Sequence, residues 1–296
     1  MKTPQKIFKT LLITSLILAP IMKVSAKEAR IFLSSGSGVF TAGKDMTTRL
    51  IVNSGGGAGI NAAEAIIKFD PKFLKVKSIN KKPSIFTLWT KEPKFSNTAG
   101  TIEFGGGNPA KFKDTAGQIF AITFTSLKSG KTEFTIATGT AQILTADGYA
   151  ENIFKEKYQS FMTFGNSSAV RAAQIFSKKM SGKILLQIQK NGEAWYVYPV
   201  DNRRYFLGRP EDAFNLMRKL GLGVNHAYIT NYKTFPTKML GKILIDVEDK
   251  GRAYYIYPVD KKAYYLGRPH DAFRIMREKG LGIKNSDLDK IDDWAI

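Results

Sequence analysis

The side chains able to do chemistry are few. Among 296 residues there are two histidines, His226 and His270, and no cysteine. Without a thiol, the sequence offers no disulfide, no thiolate metal site and no cysteine nucleophile. Neither histidine stands in an H-E-x-x-H pattern, and no G-x-S-x-G elbow occurs, so neither a metalloprotease site nor a nucleophilic triad is legible. Glu64 and Glu103 fall on strand-like stretches. Paired carboxylates could act as acid and base on a glycosidic bond, but their spacing does not pair them, and solvated surface positions are the simpler reading. Gly55-Gly56-Gly57 and Gly105-Gly106-Gly107 lack the lysine and the strand-to-helix setting of a phosphate loop, and read as loops at strand ends. The chain is therefore read as non-catalytic, with no cofactor and no bound metal expected.

Aromatic residues carry the sharper signal. Trp195, Tyr196, Tyr198, Tyr205 and Phe206 crowd one stretch; Tyr254, Tyr255, Tyr257, Tyr264 and Tyr265 repeat the pattern. On a strand Trp195 and Tyr196 face opposite ways, so both faces cannot be core unless something covers one. Aromatic faces stack on the C–H faces of sugars, tyrosine hydroxyls bond to sugar hydroxyls, and Arg203, Arg204, Lys261 and Lys262 nearby suit an anionic glycan. The alternative is that these rings build the core of a small unit and the contact between units. Trp89, in FTLWTKEP, has the same two readings: a plug at the end of a core, or a sugar platform. The candidate ligand-binding set is thus Trp89, Trp195, Tyr196, Tyr198, Arg203, Arg204, Tyr205, Tyr255, Tyr257, Lys261, Lys262 and Tyr264.

The rings belong to a duplication. The stretch beginning FSKKMSGKILLQIQKNGEAWYVYPVD at Phe176 returns at Phe235 as FPTKMLGKILIDVEDKGRAYYIYPVD, 59 residues on and without a gap. A period of this size marks an arrayed supersecondary unit. Within it, Lys183–Gln189, Glu193–Tyr198 and Arg203–Leu207 read as strands, with Asn191-Gly192 (counterpart Lys250-Gly251) as a hairpin turn. Pro210 opens a helix whose first turn holds Glu211 and Asp212. Phe214, Met217 and Leu220 follow at helical spacing, and Gly221 ends it. Each unit is β-β-β-α. Arg209 and Arg268, in the shared L-G-R-P, are read as bridging hairpin and helix. His270 aligns with Glu211, so nothing shared by the units depends on it.

Residues 30–153 read as strands. In Gly59–Ile79, Ala63, Ala65, Ile67 and Phe69 share one face while Glu64 and Lys68 take the other; Asp70-Pro71 breaks the ladder, and Leu74 and Val76 resume it. Ile102 and Phe104, then Phe120, Ile122 and Phe124, then Phe134 and Ile136 repeat the alternation. Many short strands with frequent turns and no helical period predict an antiparallel sandwich. The opening strand and glycine turn (Ile31 to Gly43), GINAAEAIIKFDPKFLKV (Gly59–Val76), the pair around Gly100–Phe104, AITFTSLKSGKTEFTI (Ala121–Ile136) and the closing LTADG (Leu144–Gly148) resemble a cohesin domain of the jelly-roll type, a relative of bacterial carbohydrate-binding modules. The resemblance covers rather less than half the chain. It implies binding of a dockerin-like protein module, or of polysaccharide directly, in the context of polysaccharide breakdown. The repeated tail resembles a tandem repeat at the ends of secreted proteins of uncultured bacteria, which implies no activity.

Residues 1–26 have the form of a secretory signal: Lys2, Lys6 and Lys9, an apolar run from Leu11 to Met22, and Val24-Ser25-Ala26 at the cleavage position. The expected location is secreted, extracellular or attached to the cell surface, with no transmembrane segment in the mature chain. The net charge is +20, which favours anionic surfaces, but the lysines are scattered, and no nucleic-acid-binding motif accompanies them. The expected organisation is mainly β: a signal peptide (1–26), a cohesin-like β-sandwich (27–153), a linker with a short helix (154–175), and two β-β-β-α repeats (176–234 and 235–296). The expected partner is polysaccharide or cell-wall glycan, or a dockerin-like module. The alternative is a structural or adhesive surface protein making only protein contacts.

Overall fold

The computed structural model describes residues 29–154, 159–189, 192–208 and 210–295. The expected signal peptide, the turn residue Asn191 and the proposed bridge at Arg209 lie outside them.

The first half is a sandwich because its strands alternate. β1 (Arg30–Ser34), β3 (Asp45–Asn53), β8 (Gly117–Ser126) and β5 (Leu74–Asn80) form one sheet in the order β1-β3-β8-β5. The second sheet runs β2-β11-β9-β4-β7-β6, from β2 (Gly38–Thr41), β11 (Gln159–Gly165), β9 (Gly130–Ile136), β4 (Ile60–Phe69), β7 (Thr101–Phe112) and β6 (Leu88–Ser96), with β10 (Gln142–Thr145) on the free length of β4. Ala63, Ala65, Ile67 and Phe69 of β4 are all buried, as the period-two pattern requires. Asp70 closes the turn, its carbonyl accepting from the N–H groups of Phe73 and Leu74 at 3.0 Å. Phe104 meets Phe120 edge-on at 5.3 Å across the layers, and Phe124, Phe134 and Phe164 complete a core of fully buried rings. Each such ring contributes roughly 1.5–3 kcal/mol by leaving water.

Two readings of this half change. Residues 159–165 are not linker: β11 pairs antiparallel with β9 and parallel with β2, and Ser160, Met162 and Phe164 are buried. QSFMTFG carries the same alternation, weakened by a serine at a core position. Gly105-Gly106-Gly107 is the interior of β7, not a loop at its end, paired with β4 on one side and β6 on the other. A Cβ on Gly106 would lie 2.8 Å from the Trp89 ring, so the glycine makes room for an indole fifteen or more residues away in sequence.

The connecting helix α1 (Ser167–Met180) is longer than expected. The Asn166 carboxamide caps it, accepting from Ala169 N–H at 2.9 Å, and Lys178 and Lys179 sit in the last turn, where cations meet the negative end of the dipole.

The repeats follow the β-β-β-α pattern, with one addition that changes the architecture. Repeat 1 has β12 (Ile184–Gln187), β13 (Ala194–Val197), β14 (Arg204–Phe206) and α2 (Pro210–Leu220), then a short strand β15 (Leu222–Val224) and α3 (His226–Thr230). Repeat 2 has β16 (Ile243–Asp246), β17 (Arg252–Ile256), β18 (Ala263–Tyr265), α4 (Pro269–Lys279), β19 (Leu281–Ile283), α5 (Asn285–Leu288) and β20 (Asp293–Trp294). The strand after each helix crosses to the other repeat: β15 pairs parallel with β16, and β19 pairs parallel with β12. The registers are equivalent, Leu185 opposite Leu281 and Leu244 opposite Leu222. The two repeats are thereby interleaved. One core holds Tyr196, Tyr205 and Leu216 of the first repeat with Tyr255, Ile275 and Met276 of the second. On the helices the buried stripe is Ala213 and Leu216, with Met217 and Leu220 partly covered; Phe214, expected to share that face, is 56% exposed. The i, i+3, i+4, i+7 stripe starts one residue earlier than Phe214.

Gly182 and Gly241, which are equivalent positions, meet where the repeats cross. Both have positive φ (+73° and +75°), and a Cβ on either would lie 2.6 or 2.2 Å from the other's Cα. Beside them the exchange is reciprocal again: Tyr196 OH donates to the Gly241 carbonyl at 2.6 Å and Tyr255 OH to the Gly182 carbonyl at 2.8 Å. Among the described residues no helix is long and apolar enough to cross a membrane.

Candidate functional site

Repeat 1 docks on the outer face of the sandwich. Ile31 and Leu33 of β1 point into the core, so Arg30 and Phe32 point out. Arg30 sets its guanidinium 4.3 Å from the centre of the Phe206 ring. Asn53 donates to Asp212 of α2 at 3.1 Å, and Asn215 and Lys219 of the same helix reach Asp114 at 3.2 and 3.4 Å. Opposite charges and aromatic stacking thus hold a polar interface.

The end of the chain completes the junction. β20 adds parallel to β14 and also bonds to the sandwich: Ser35 N–H donates to the Asp293 carbonyl at 2.8 Å, Ser37 N–H to the Asp293 carboxylate at 2.8 Å, and Arg49 to the Ala295 carbonyl at 2.8 Å. Arg49 and Arg203 each place a guanidinium over the Trp294 ring, at 3.9 and 4.0 Å. Asp292 accepts from Arg203 Nε at 3.0 Å and from the Ser35 hydroxyl at 3.3 Å. Burial, reinforced by the Asp293 charge, outweighs these bonds and pushes the Asp292 carboxyl up to about 7.

Between the two parts lies a cavity of about 440 Å³. Trp195, Phe206 and Trp294 wall it from the repeat side, Phe32 and Phe161 from the sandwich, and Arg204 is set into it. The Arg204 side chain is 4% exposed. Its Nη2 stands 3.9 Å from Asp289, its guanidinium lies 4.6 Å from the Trp195 ring centre, and its Nε and Nη1 have no hydrogen-bond partner. Burial holds this guanidinium below its usual pKa, against the pull of Asp293, Asp289 and Asp292. Buried donors are almost always satisfied; these two nitrogens are closed off from water and from the cavity, and the stacked Trp195 ring and the nearby carboxylates are what surround the cation.

The sequence candidates divide among three environments. Tyr196, Tyr205 and Tyr255 are buried. Tyr205 OH donates to Asp201 at 2.6 Å, and burial raises the pKa of all three phenols. Of the two readings, the core is the one they occupy, because the exchange of strands covers the face that a lone repeat would expose. Tyr198 packs edge-on against Tyr205 at 6.2 Å, and Tyr257 against Tyr264 at 6.1 Å; Lys279 covers the latter pair, 4.4 Å above Tyr264. Lys261 and Lys262 are exposed. Trp89 is half-buried, edge-on to Phe86 at 5.9 Å, with Lys81 5.4 Å above it. Of the candidates only Trp195, Arg204 and Tyr205 line the cavity. Trp294 and Phe161 were missed, since nothing in their own segments pointed to the junction. Tyr254 and Tyr265, equivalent to Trp195 and Phe206, form a 5.3 Å pair that no sandwich covers, and Tyr265 is 44% exposed.

The other titratable groups that the sequence singled out lie away from this cavity. Glu64 and Glu103 pair with Lys91 and Lys94 at 3.1 and 3.2 Å, and His270 is exposed. His226, Asp246 and Asp249 come close enough to hold a cation. Both Asp246 oxygens are already engaged, however, by His226 Nδ1 at 2.7 Å and by the N–H groups of Glu248 and Asp249, and Asp249 accepts from Arg252 at 2.6 Å. In repeat 1 the amides of Gln187 and Asn285 make the equivalent bridge at 2.7 Å. The bridge ties an exchanged strand to its hairpin and requires no ion. Arg268 opens α4, its N–H donating to Asp271 at 3.3 Å.

No family model matches the sequence, and no curated protein matches it. Solved structures do resemble it, and those compared are cohesin modules. A type I cohesin–dockerin complex of OlpA from Clostridium thermocellum is 11% identical with a TM-score of 0.39, covering 47% of this chain and 99% of that one. The seventh ScaB type I cohesin of Pseudobacteroides cellulosolvens is 15% identical, TM-score 0.40, covering 47% and 94%. A non-cellulosomal cohesin from Archaeoglobus fulgidus is 12% identical, TM-score 0.38, covering 49% and 96%. The matched portion is less than half of this chain, and the exchanged repeats lie outside it.

Proposed function

We propose that this chain is an exported, non-catalytic binding protein that holds its ligand, a glycan or glycan-bearing polymer, at the junction of sandwich and repeats. One observation carries the reading: docking of the repeats encloses a cavity of about 440 Å³ walled by Trp195, Phe206, Trp294 and Phe161. Cavities at domain junctions are a usual place for ligand sites. The basic, apolar leader of residues 1–26 supports export, and exposed Lys261, Lys262 and Tyr265 on the free side of the repeats suit attachment to an anionic envelope. The test is retention of the mature chain on cell-wall material and insoluble polysaccharides, compared with Arg204→Met. Retention that the substitution abolishes supports the reading; complete flow-through sinks it.

A second reading, capture of a dockerin-like protein module with no glycan contact, is favoured by β6. This outer strand of its sheet leaves Leu88 and Phe95 exposed, 59% and 38%, and an open strand edge is a template for pairing. Recovery of a protein partner from an envelope extract, lost on Leu88→Lys and indifferent to Arg204→Met, would place function there instead.

A further inference from the structure

We propose that the free edge of β18 docks an extended acidic peptide carrying an aromatic residue, supplied by another protein. The two repeats differ at this edge. In repeat 1 the equivalent strand, β14, has β20 laid parallel along it, and Arg204 N–H donates to the Asp292 carbonyl at 2.9 Å. In repeat 2, β18 ends its sheet. Phe235 N–H takes the Lys261 carbonyl at 2.8 Å, but the chain then turns at Pro236 into the 3-10 turn Thr237–Met239 and forms no ladder with β18. Tyr257 N–H donates to the Lys262 carbonyl and Leu266 N–H to the Ala253 carbonyl, so the alternate residues Ala263 and Tyr265 turn their backbone groups away from β17. Among the described residues those outward groups have no backbone partner. Such an edge is a template for one more strand. The side chains are more open as well: Tyr205 is 3% exposed beside β20, whereas its counterpart Tyr264 is partly exposed and Tyr265 is 44% exposed.

The chemistry of the occupant follows from β20. Arg203, beside β14, holds both an acid and a ring of that strand: its Nε donates to Asp292 at 3.0 Å and its guanidinium lies 4.0 Å from the Trp294 ring centre. The counterpart of Arg203 is Lys262, which is exposed and whose ammonium makes no ion pair among the described residues. Exposed Lys261 precedes it, and cations at a strand edge select for acidic residues in the strand that joins it. Tyr265 and Tyr254, a 5.3 Å pair, give an aromatic side chain an apolar neighbour. A second copy of this chain keeps its own Asp-Asp-Trp in place, bonded to Ser35, Ser37 and Arg203, so the occupant is a segment of a different protein. The site is separate from the junction cavity, and its failure would leave that reading untouched.

The probe is a fluorescein-labelled peptide IDDWAI, copying Ile291–Ile296, whose anisotropy is followed as the full mature chain is added. Ala263→Pro removes an outward N–H without touching a bond between β17 and β18, and proline is tolerated on a strand edge. Lys262→Glu reverses the charge that faces the acids. Each should weaken binding by roughly tenfold or more, the loss of one hydrogen bond or one charged contact, and the peptide INNWAI should lose a similar factor. Circular dichroism reports whether each variant folds; the two act through different groups, so either decides the matter if the other misfolds. Binding that neither substitution weakens would put the peptide elsewhere, β14 included, and overturn the proposal. Absence of binding, or equal binding of INNWAI, would do the same. Displacement by polygalacturonate but not by unlabelled IDDWAI would make the occupant a glycan and overturn the peptide class. Self-association of the chain alone in sedimentation, lost on Ala263→Pro, would make the occupant a second copy and overturn the separate partner.

Discussion

Gly241→Ala tests the strand exchange most directly. At φ +75° an added Cβ costs about 1–2 kcal/mol in backbone strain. It would also stand 2.2 Å from Gly182 Cα and 2.9 Å from the Gly182 carbonyl oxygen, backbone atoms that move only if the two hairpins part. Overpacking of this kind costs about 1–3 kcal/mol. Parting the hairpins strands the buried Tyr196 hydroxyl, which donates to Gly241, for about 1–3 kcal/mol more. The total is on the order of 5 kcal/mol, comparable to the whole stability of many domains. Gly251→Ala is the control, with φ +66° and nothing within 4 Å of the new Cβ, so it should lose only the strain. Urea unfolding followed by tryptophan fluorescence compares them: Trp195 and Trp294 report the repeats and Trp89 the sandwich. The expected result is loss of the repeat transition in Gly241→Ala with the sandwich transition kept. Equal, small losses in both variants would refute the crossing at Gly182 and Gly241.

Asp292 predicts a pH dependence. Its folded pKa is raised from 3.8 to about 7, so the folded state binds the proton more tightly. Its contribution is full below about pH 4 and is lost as pH rises through about 7, at up to about 1.4 kcal/mol per pH unit. Unfolding curves from pH 4 to 8 should show a slope that Asp292→Asn flattens; an unchanged slope would count against a buried carboxyl there. For His226, bonding to Asp246 raises the pKa above 6.5, so its contribution is present below that value and fades as pH rises through the folded pKa; His226→Asn, copying the amide of Asn285, should remove this dependence while keeping the fold. Trp294→Ala removes a ring shared by Arg49 and Arg203, worth about 0.5–2 kcal/mol per cation. It should let the repeats swing away from the sandwich, seen as a larger radius of gyration in small-angle scattering; an unchanged radius would mean that the α2 contacts alone hold the junction.

The sequence by itself determined the parts that local pattern governs. Alternation placed β4, β5 and β8, the turn at Asp70-Pro71 followed from proline chemistry, and the 59-residue offset disclosed two equivalent β-β-β-α units. Only the tertiary structure decided how those units meet. A three-residue strand such as Leu222–Val224 carries no period long enough to detect, and nothing local says that its partner is β16 rather than β12. That choice buries Tyr196 and Tyr255, which by type and spacing could be platform or core, and leaves Tyr265 outside. The cavity is further still from the sequence: Phe161, Arg204 and Trp294 come together because two bodies dock and the chain's last strand closes over them, and docking depends on surfaces that exist only after each body has folded.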